Sequence, residues 1–298
     1  MTTSPRAAEP PHARLRPRSI ASGSRIGDAG AYLFIILLVL FCLAPFVWPA
    51  LSAVSTKPEN VSGLYLYWPQ SLTLQHFDEA INGRGGAATL LVNSLITTGG
   101  AVALAVVVCA LGGYTLSRLD FPLKRPLMYA ILLIQVVPST ATILPLYLIM
   151  KELHLVNTLL GVTLGMTAGQ IPFILWVMKG FFDDVPRALE EAAVIDGASR
   201  MQVLARVTFP LAMPGVGAAV VLAFNSAWGT FFLPLILLSD PEKFVLPLGL
   251  FRAIIGYTNV DYGMMNAMST IYMLPSLLFF ILARRFLMRG VMAGAMAG

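Results

Sequence analysis

The chain has 298 residues, 57% of them hydrophobic and 12% charged, which is about half the charge of an ordinary soluble domain. That composition leaves no room for a large soluble domain and makes the bilayer the natural solvent. The net charge of +5 is spread in small basic groups beside apolar blocks, which reads as membrane topology rather than a nucleic-acid footprint.

The segment 1–30 is rich in Pro, Ser, Ala and Arg and has no apolar periodicity, so it reads as a disordered basic tail. The apolar run 31–51 is too long for a signal-peptide core and is followed by further runs, so it is expected to stay as a first membrane helix. Further spans are expected at 90–116, 126–150, 157–178, 208–238 and 264–282, each near or beyond the roughly 20 residues that cross a bilayer. The expected fold class is therefore all-α, a polytopic membrane protein with six transmembrane helices. A span domain over 31–288 is followed by a tail at 289–298. Pro138, Pro145, Pro172 and Pro234 fall in or near spans, where neighbouring helices can satisfy the carbonyls they free.

Charge placement orients this array. Alternate extramembrane segments hold 15 and 5 of the 20 Lys and Arg, which places both termini in the cytoplasm by the positive-inside bias. No Asp, Glu, Lys or Arg falls in the middle of an expected span, an arrangement that disfavours a proton-driven carrier or an ion channel. The polar content there is amide and hydroxyl: Gln135, Ser139, Thr140, Gln170, Asn225, Ser226, Thr230 and Asn266. Each can bond between helices or line a pathway for a neutral polyhydroxylated solute. Cys42 and Cys109 lie in apolar runs with no ligand spacing and read as packing residues. His12, His76 and His154 read as solvated surface. No Gly-x-x-x-x-Gly-Lys-Ser/Thr pattern occurs, so the chain carries no P-loop of its own.

The connection 179–207 is longer than neighbouring helices need. Asp183-Asp184-Val185-Pro186 suits a helix start, Arg187 to Ile195 has a helical period, Gly197 interrupts it, and Ser199 to Arg206 resumes it. This predicts a helix-turn-helix at the membrane surface. Small residues at Ala192, Ala193, Gly197 and Ala198 would let another backbone come close, and Glu190, Glu191 and Asp196 offer carboxylates to basic groups on it. Periodicity alone fits an interfacial amphipathic element without a partner equally well.

Glu191-Ala192-Ala193, three residues, Gly197, nine residues, Val207, one residue, Phe209-Pro210 resembles the EAA loop of ABC importer permeases. The family pattern has Ile and Leu where Val207 and Phe209 stand. Glu-Ala-Ala-Val-Ile-Asp-Gly-Ala-Ser with Pro210 and Pro214 is similar to the carbohydrate branch. Asn93-Ser94, Gly113 to Phe121, Leu144-Pro145-Leu146-Tyr147 and the ending Arg289 to Gly298 resemble the six-span subunit of maltose-type and glycerol-phosphate-type importers. The chain departs at Trp228-Gly229-Thr230-Phe231, where many relatives carry an amide and a carboxylate.

The resemblance implies a non-catalytic permease in a bacterial plasma membrane. Its partners would be a second homologous permease, a dimeric ABC ATPase that binds ATP and Mg, an extracytoplasmic solute-binding protein and the lipid bilayer, with no nucleic acid and no cofactor in this chain. Glu191, Ala192, Ala193 and Gly197 would dock the ATPase, with Asp196 supporting them. Gln135, Asn225, Trp228 and Thr230 are the expected pathway residues for a carbohydrate or polyol. A secondary transporter of a neutral solute is the alternative; it should show internal repeats with paired broken helices. An intramembrane enzyme would need convergent nucleophile, base or metal ligands inside the spans.

Overall fold

A computed structural model describes residues 25–56, 69, 71–83, 86–255 and 261–296. The histidine at position 12, the aromatics Tyr65, Tyr67 and Trp68, and most of the expected basic tail lie outside these residues. The chain divides into two units, 1–45 and 46–298. The first holds most of α1 (Arg25–Ala53), a helix of 29 residues and so ~43 Å long at 1.5 Å per residue. Its side chains from Tyr32 to Leu43 are exposed and largely apolar, which in hydrocarbon needs no burial.

The second unit continues with α2 (Gln75–Ile81), α3 (Ala87–Arg118), α4 (Lys124–Ile134), α5 (Ser139–Glu152), α6 (Leu159–Asp183), α7 (Arg187–Ile195) and α8 (Arg200–Val203). A π turn, Leu204–Thr208, leads into α9 (Phe209–Leu211) and α10 (Met213–Trp228), followed by α11 (Phe232–Leu237), a 3₁₀ turn at Pro241–Lys243, α12 (Leu246–Ile255) and α13 (Tyr262–Met296). Among the described residues the chain is all-helical, with one isolated antiparallel bridge between Ser55 and Leu72.

Among the described residues four helices are long and apolar enough to cross a membrane, or five if Arg200–Leu211 and Met213–Trp228, bent by 79°, form one span. Six were expected from the apolar runs. The difference lies in the third run, which is broken into α4 and α5, each too short to cross alone. Proline is the cause. Pro138 has no N–H to continue the helix and biases Val137 away from the helical region, so the backbone opens from Gln135 to Pro138 and restarts at Ser139. Pro145, Pro172 and Pro275 lie inside α5, α6 and α13 without ending them. The fifth run divides for the same reason: Pro210 and Pro214 both lack a donor, and the bend falls between them at Ala212. At the C-terminus α13 runs through the expected boundary at 288 with no helix end there.

The centre of the second unit is the α3–α6 pair. Ala101, Ala105, Cys109 and Ala110 are buried on α3, facing a bundle that includes Val162, Met166, Ile174 and Met178 of α6. At Gly113 a Cβ would stand 3.1 Å from the Lys179 backbone nitrogen and 3.2 Å from the Met178 Cβ. The absent side chain thus lets the two backbones approach this closely, the packing that holds membrane helices together when lipid is as apolar as the core. After α3, Lys124 donates to the Asp120 carboxylate at 3.1 Å. That hydrogen bond and the ammonium charge hold the Asp120 carboxyl below its ordinary pKa.

The α3 end far from α7 is held by polar bonds. The buried Asn93 amide donates to the carbonyls of Glu242 and Phe244, both at 2.9 Å, and the Ser94 hydroxyl accepts from the Leu246 N–H at 2.7 Å. Asn93-Ser94 thus fasten the start of α12 across 149 to 152 positions of sequence. Replacing Asn93 by Ala removes both amide bonds and is expected to cost about 1–3 kcal/mol, read as a lower Tm of the purified protein in detergent; an unchanged Tm would show the amide to be dispensable. Asn266 of α13 likewise donates to the Ser52 hydroxyl at 2.8 Å.

His76 corrects the expectation of a solvated surface. It is half-buried, with Nε2 3.1 Å from the Ser55 carbonyl oxygen, because α2 seats on α13. His154 is exposed as expected, in a left-handed turn.

Candidate functional site

The segment after α6 is built by local sequence chemistry. Pro186 stands immediately before α7, where a missing N–H costs nothing. The helix ends in two bonds: Gly197 N–H donates to the Val194 carbonyl and Ala198 N–H to that of Ala193, both at 3.0 Å. This is a Schellman closure, and it needs a left-handed residue at Gly197, whose φ is +87°. Ser199 then caps α8, its hydroxyl accepting from the Gln202 N–H while the Gln202 side chain accepts from the Ser199 N–H. The two short helices are thus closed and restarted within a few residues, giving a stiff turn.

The faces of α7 are inverted relative to an ordinary surface helix. Leu189 and Val194 are exposed, Ile195 is 85% exposed, and Met201 of α8 joins them. Glu191, Ala192, Asp196 and Gly197 are also exposed and Ala193 is half-buried. Glu190 by contrast is buried at 8% exposure. It was expected to offer its carboxylate outward to a partner. Instead it accepts from Arg118 Nε at 2.7 Å and from Thr208 Oγ1 at 2.8 Å, and Tyr114 Oη lies at 3.4 Å.

Arg118 also donates to the Val185 carbonyl at 2.8 Å and to the Ser117 hydroxyl at 2.9 Å. Ser117 in turn donates to Asp183 at 2.6 Å, and Asp183 is paired with Lys179. Between this network and α7 lies a cleft of about 520 Å³ bordered by Tyr114, Arg118, Arg187, Glu190, Glu191 and Arg200. Sequence reasoning missed the role of Glu190, since its partners on α3 are 72 and 76 positions away. The only local signal was a lone arginine, Arg118, at the end of an apolar run.

The four pathway candidates sit in different surroundings. Gln135 is exposed at the α4–α5 break, and Asn225 is exposed on α10. Trp228 is buried at 5% exposure. Its ring stacks on Phe224 and Tyr272, both at 5.6 Å, and its indole N–H donates to the Tyr272 carbonyl at 3.2 Å, while the Tyr272 hydroxyl returns a bond to the Trp228 carbonyl at 3.0 Å. Thr230 is half-buried and donates to the Ser226 carbonyl at 2.9 Å. Trp228 therefore fastens α10 to α13, and only Gln135 and Asn225 present a free amide face.

Comparisons with known proteins bear on this architecture. Residues 107–289 match the family described as "binding-protein-dependent transport system inner membrane component". A probable ABC transporter permease of Pyrococcus horikoshii is 34% identical over 257 residues, covering 84% of this chain and 90% of that protein. The maltodextrin transport system permease MdxG of Bacillus subtilis is 30% identical over 90% of this chain and 95% of its own length. The diacetylchitobiose uptake permease DasC of Streptomyces coelicolor is 29% identical over 88% and 95%. Among solved structures, a bacterial ABC transporter involved in import of the acidic polysaccharide alginate has a chain that superposes with a TM-score of 0.76 at 20% identity, covering 88% of this chain and 98% of that one. The chain is a multi-pass membrane protein that belongs to the binding-protein-dependent inner-membrane permease family, the membrane subunits of ABC importers.

Proposed function

We propose that this permease carries a carbohydrate or related polyol and receives mechanical work from an ATPase through α7 and α8. The observation that carries the reading is the inversion of α7, which turns Leu189, Val194 and Ile195 outward while burying Glu190. Exposed apolar side chains on a stiff, capped turn mark a surface made for a partner. Glu191, Ala192, Ala193 and Gly197 form the docking element with Asp196 at its end, on the cytoplasmic side with both termini. The apolar runs then make six crossings, with α4 and α5 together as the third and the bent pair as part of the fifth. The domain plan is a basic tail at 1–30, the permease domain at 31–288 with its coupling loop at 179–207, and a C-terminal tail at 289–298.

The solute class rests on two supports: relatives named for maltodextrin and diacetylchitobiose uptake, and expected spans whose centres carry amides and hydroxyls but no charge. Gln135 sits where backbone carbonyls are freed by the helix break, and non-helical backbone at membrane depth is tolerated where it meets protein or a water-filled path. Asn225 supplies a second amide. Trp228 and Thr230 stay in the proposal as residues that set the shape of the α10 end.

In this reading the subunit is non-catalytic and holds no cofactor. ATP and Mg sit in a dimeric ABC ATPase, a second permease completes the pathway, and an extracytoplasmic binding protein delivers the solute at a bacterial plasma membrane. Closure of the ATPase pair would carry α7 with it and tilt the spans that flank it, which requires contacts that differ between two states. The test is uptake of labelled maltooligosaccharide into proteoliposomes holding the purified complex. ATP-dependent accumulation with a co-purifying ATPase is expected; accumulation driven by an ion gradient without an ATPase would sink the reading in favour of a secondary carrier.

A further inference from the structure

The Glu190 carboxylate is the one acidic group of α7 taken out of solvent. Burying a charge is costly unless it is paired and hydrogen-bonded, and such pairs contribute little net stability compared with an apolar replacement. What they do provide is a fixed register, because a small displacement breaks several directional bonds together. Here the bonds join elements distant in sequence. One carboxylate oxygen accepts from Arg118 at the end of α3 and from Thr208 in the π turn that precedes the bent helix. Arg118 fixes the Val185 carbonyl in the α6–α7 connection, and Arg187 of α7 donates to the Ser117 carbonyl at 3.3 Å.

Four elements are therefore tied at one point: the ends of α3 and α6, the helix α7, and the π turn. A π turn beside Pro210 and a 79° bend is where a helix yields most easily. Thr208 is the only residue of that turn with a described side-chain bond to the network. That bond ties the α7 carboxylate directly to the turn, beside the packing of α7 on it.

We propose that Glu190 and Arg118 are a positioning pair that makes α7, the end of α3 and the π turn move as one lever, so that the outward-facing residues of α7 transmit displacement to the spans. This rests on the ATPase-coupled reading above. Glu190 acts from inside, bonded to Arg118 and Thr208, whereas the neighbouring Glu191 is exposed.

The experiment compares complexes purified with their ATPase and reconstituted in proteoliposomes, reading solute transported per ATP hydrolysed. Glu190→Ala and Arg118→Ala are each expected to lower that ratio about tenfold, within the roughly 5–150-fold span of ordinary site-to-site coupling. The double substitution should fall no further than either single one, since two residues acting as a unit are non-additive. Thr208→Val keeps the shape of the side chain and removes one bond, so it provides the reading if an alanine variant does not assemble; a loss of about threefold is expected by the same arithmetic. A merely structural role would reduce the yield of complex and leave the ratio alone. Unchanged ratios in the variants, or losses that multiply in the double, overturn the proposal while wild-type ATP-driven uptake stands. Absence of ATP dependence in the wild type would instead remove the functional reading and the proposal with it.

Discussion

Replacing Val194 and Ile195 together by Asp is expected to abolish ATP-driven uptake while the protein still inserts and accumulates in the membrane. Both side chains are exposed, Ile195 at 85%, so neither supports the fold and surface substitutions of this kind are normally tolerated in stability. If they are the anchors of an interface, each contributes about 2 kcal/mol. Losing both amounts to roughly 4 kcal/mol, about a thousandfold in affinity, before the desolvation of two introduced carboxylates is added. Co-purification of the ATPase with the variant measures this directly. Retained co-purification and uptake would show that this face is not the docking surface and would leave α7 as an interfacial helix.

The second large effect is expected at Gly197. Its φ of +87° closes the Schellman turn, and a β-branched residue forced into that region costs about 1–2 kcal/mol. No atom lies near the position a Cβ would occupy, so the penalty is conformational rather than steric. Gly197→Val should therefore loosen the α7–α8 turn without disturbing the α3–α6 core. The expected result is a fall in solute moved per ATP of about tenfold, with membrane insertion unchanged. Gly197→Asn, which tolerates the left-handed region, should recover most of the loss. Equal transport by Gly and Val variants would show that the turn angle does not matter for coupling. Glu191→Lys tests the adjoining charge on the exposed side and should weaken ATPase co-purification without touching the Glu190 network, because Glu191 is solvent-exposed.

These two experiments separate features that differ in how they could be known. Gly197 and Pro186 were readable from the sequence because each acts on backbone within a few residues of itself. The apolar runs that became α1, α3, α6 and α13 were readable because length and composition suffice for a bilayer helix. The third run was not readable in the same way. Pro138, Pro145 and Pro172 look alike in sequence, yet only Pro138 ends a helix, since neighbouring helices decide which freed carbonyls can be re-satisfied. The missed helices α2 and α12 lie in the connections, where no run of membrane length marks them.

By itself the sequence determined an all-helical, charge-poor membrane chain, and it placed the small-residue turn that resembles an importer coupling loop. Both follow from local rules, namely solvent preference along a helix and dihedral freedom at one glycine. The tertiary structure alone decided that Glu190 faces inward onto Arg118 and Thr208 while Val194 and Ile195 face outward. It also set Trp228 against Tyr272 and used Asn93 to hold the carbonyls of Glu242 and Phe244. Helical period says which residues share a face, but the burial of a charged face needs a matching charge, and here that charge comes from another helix 72 positions away.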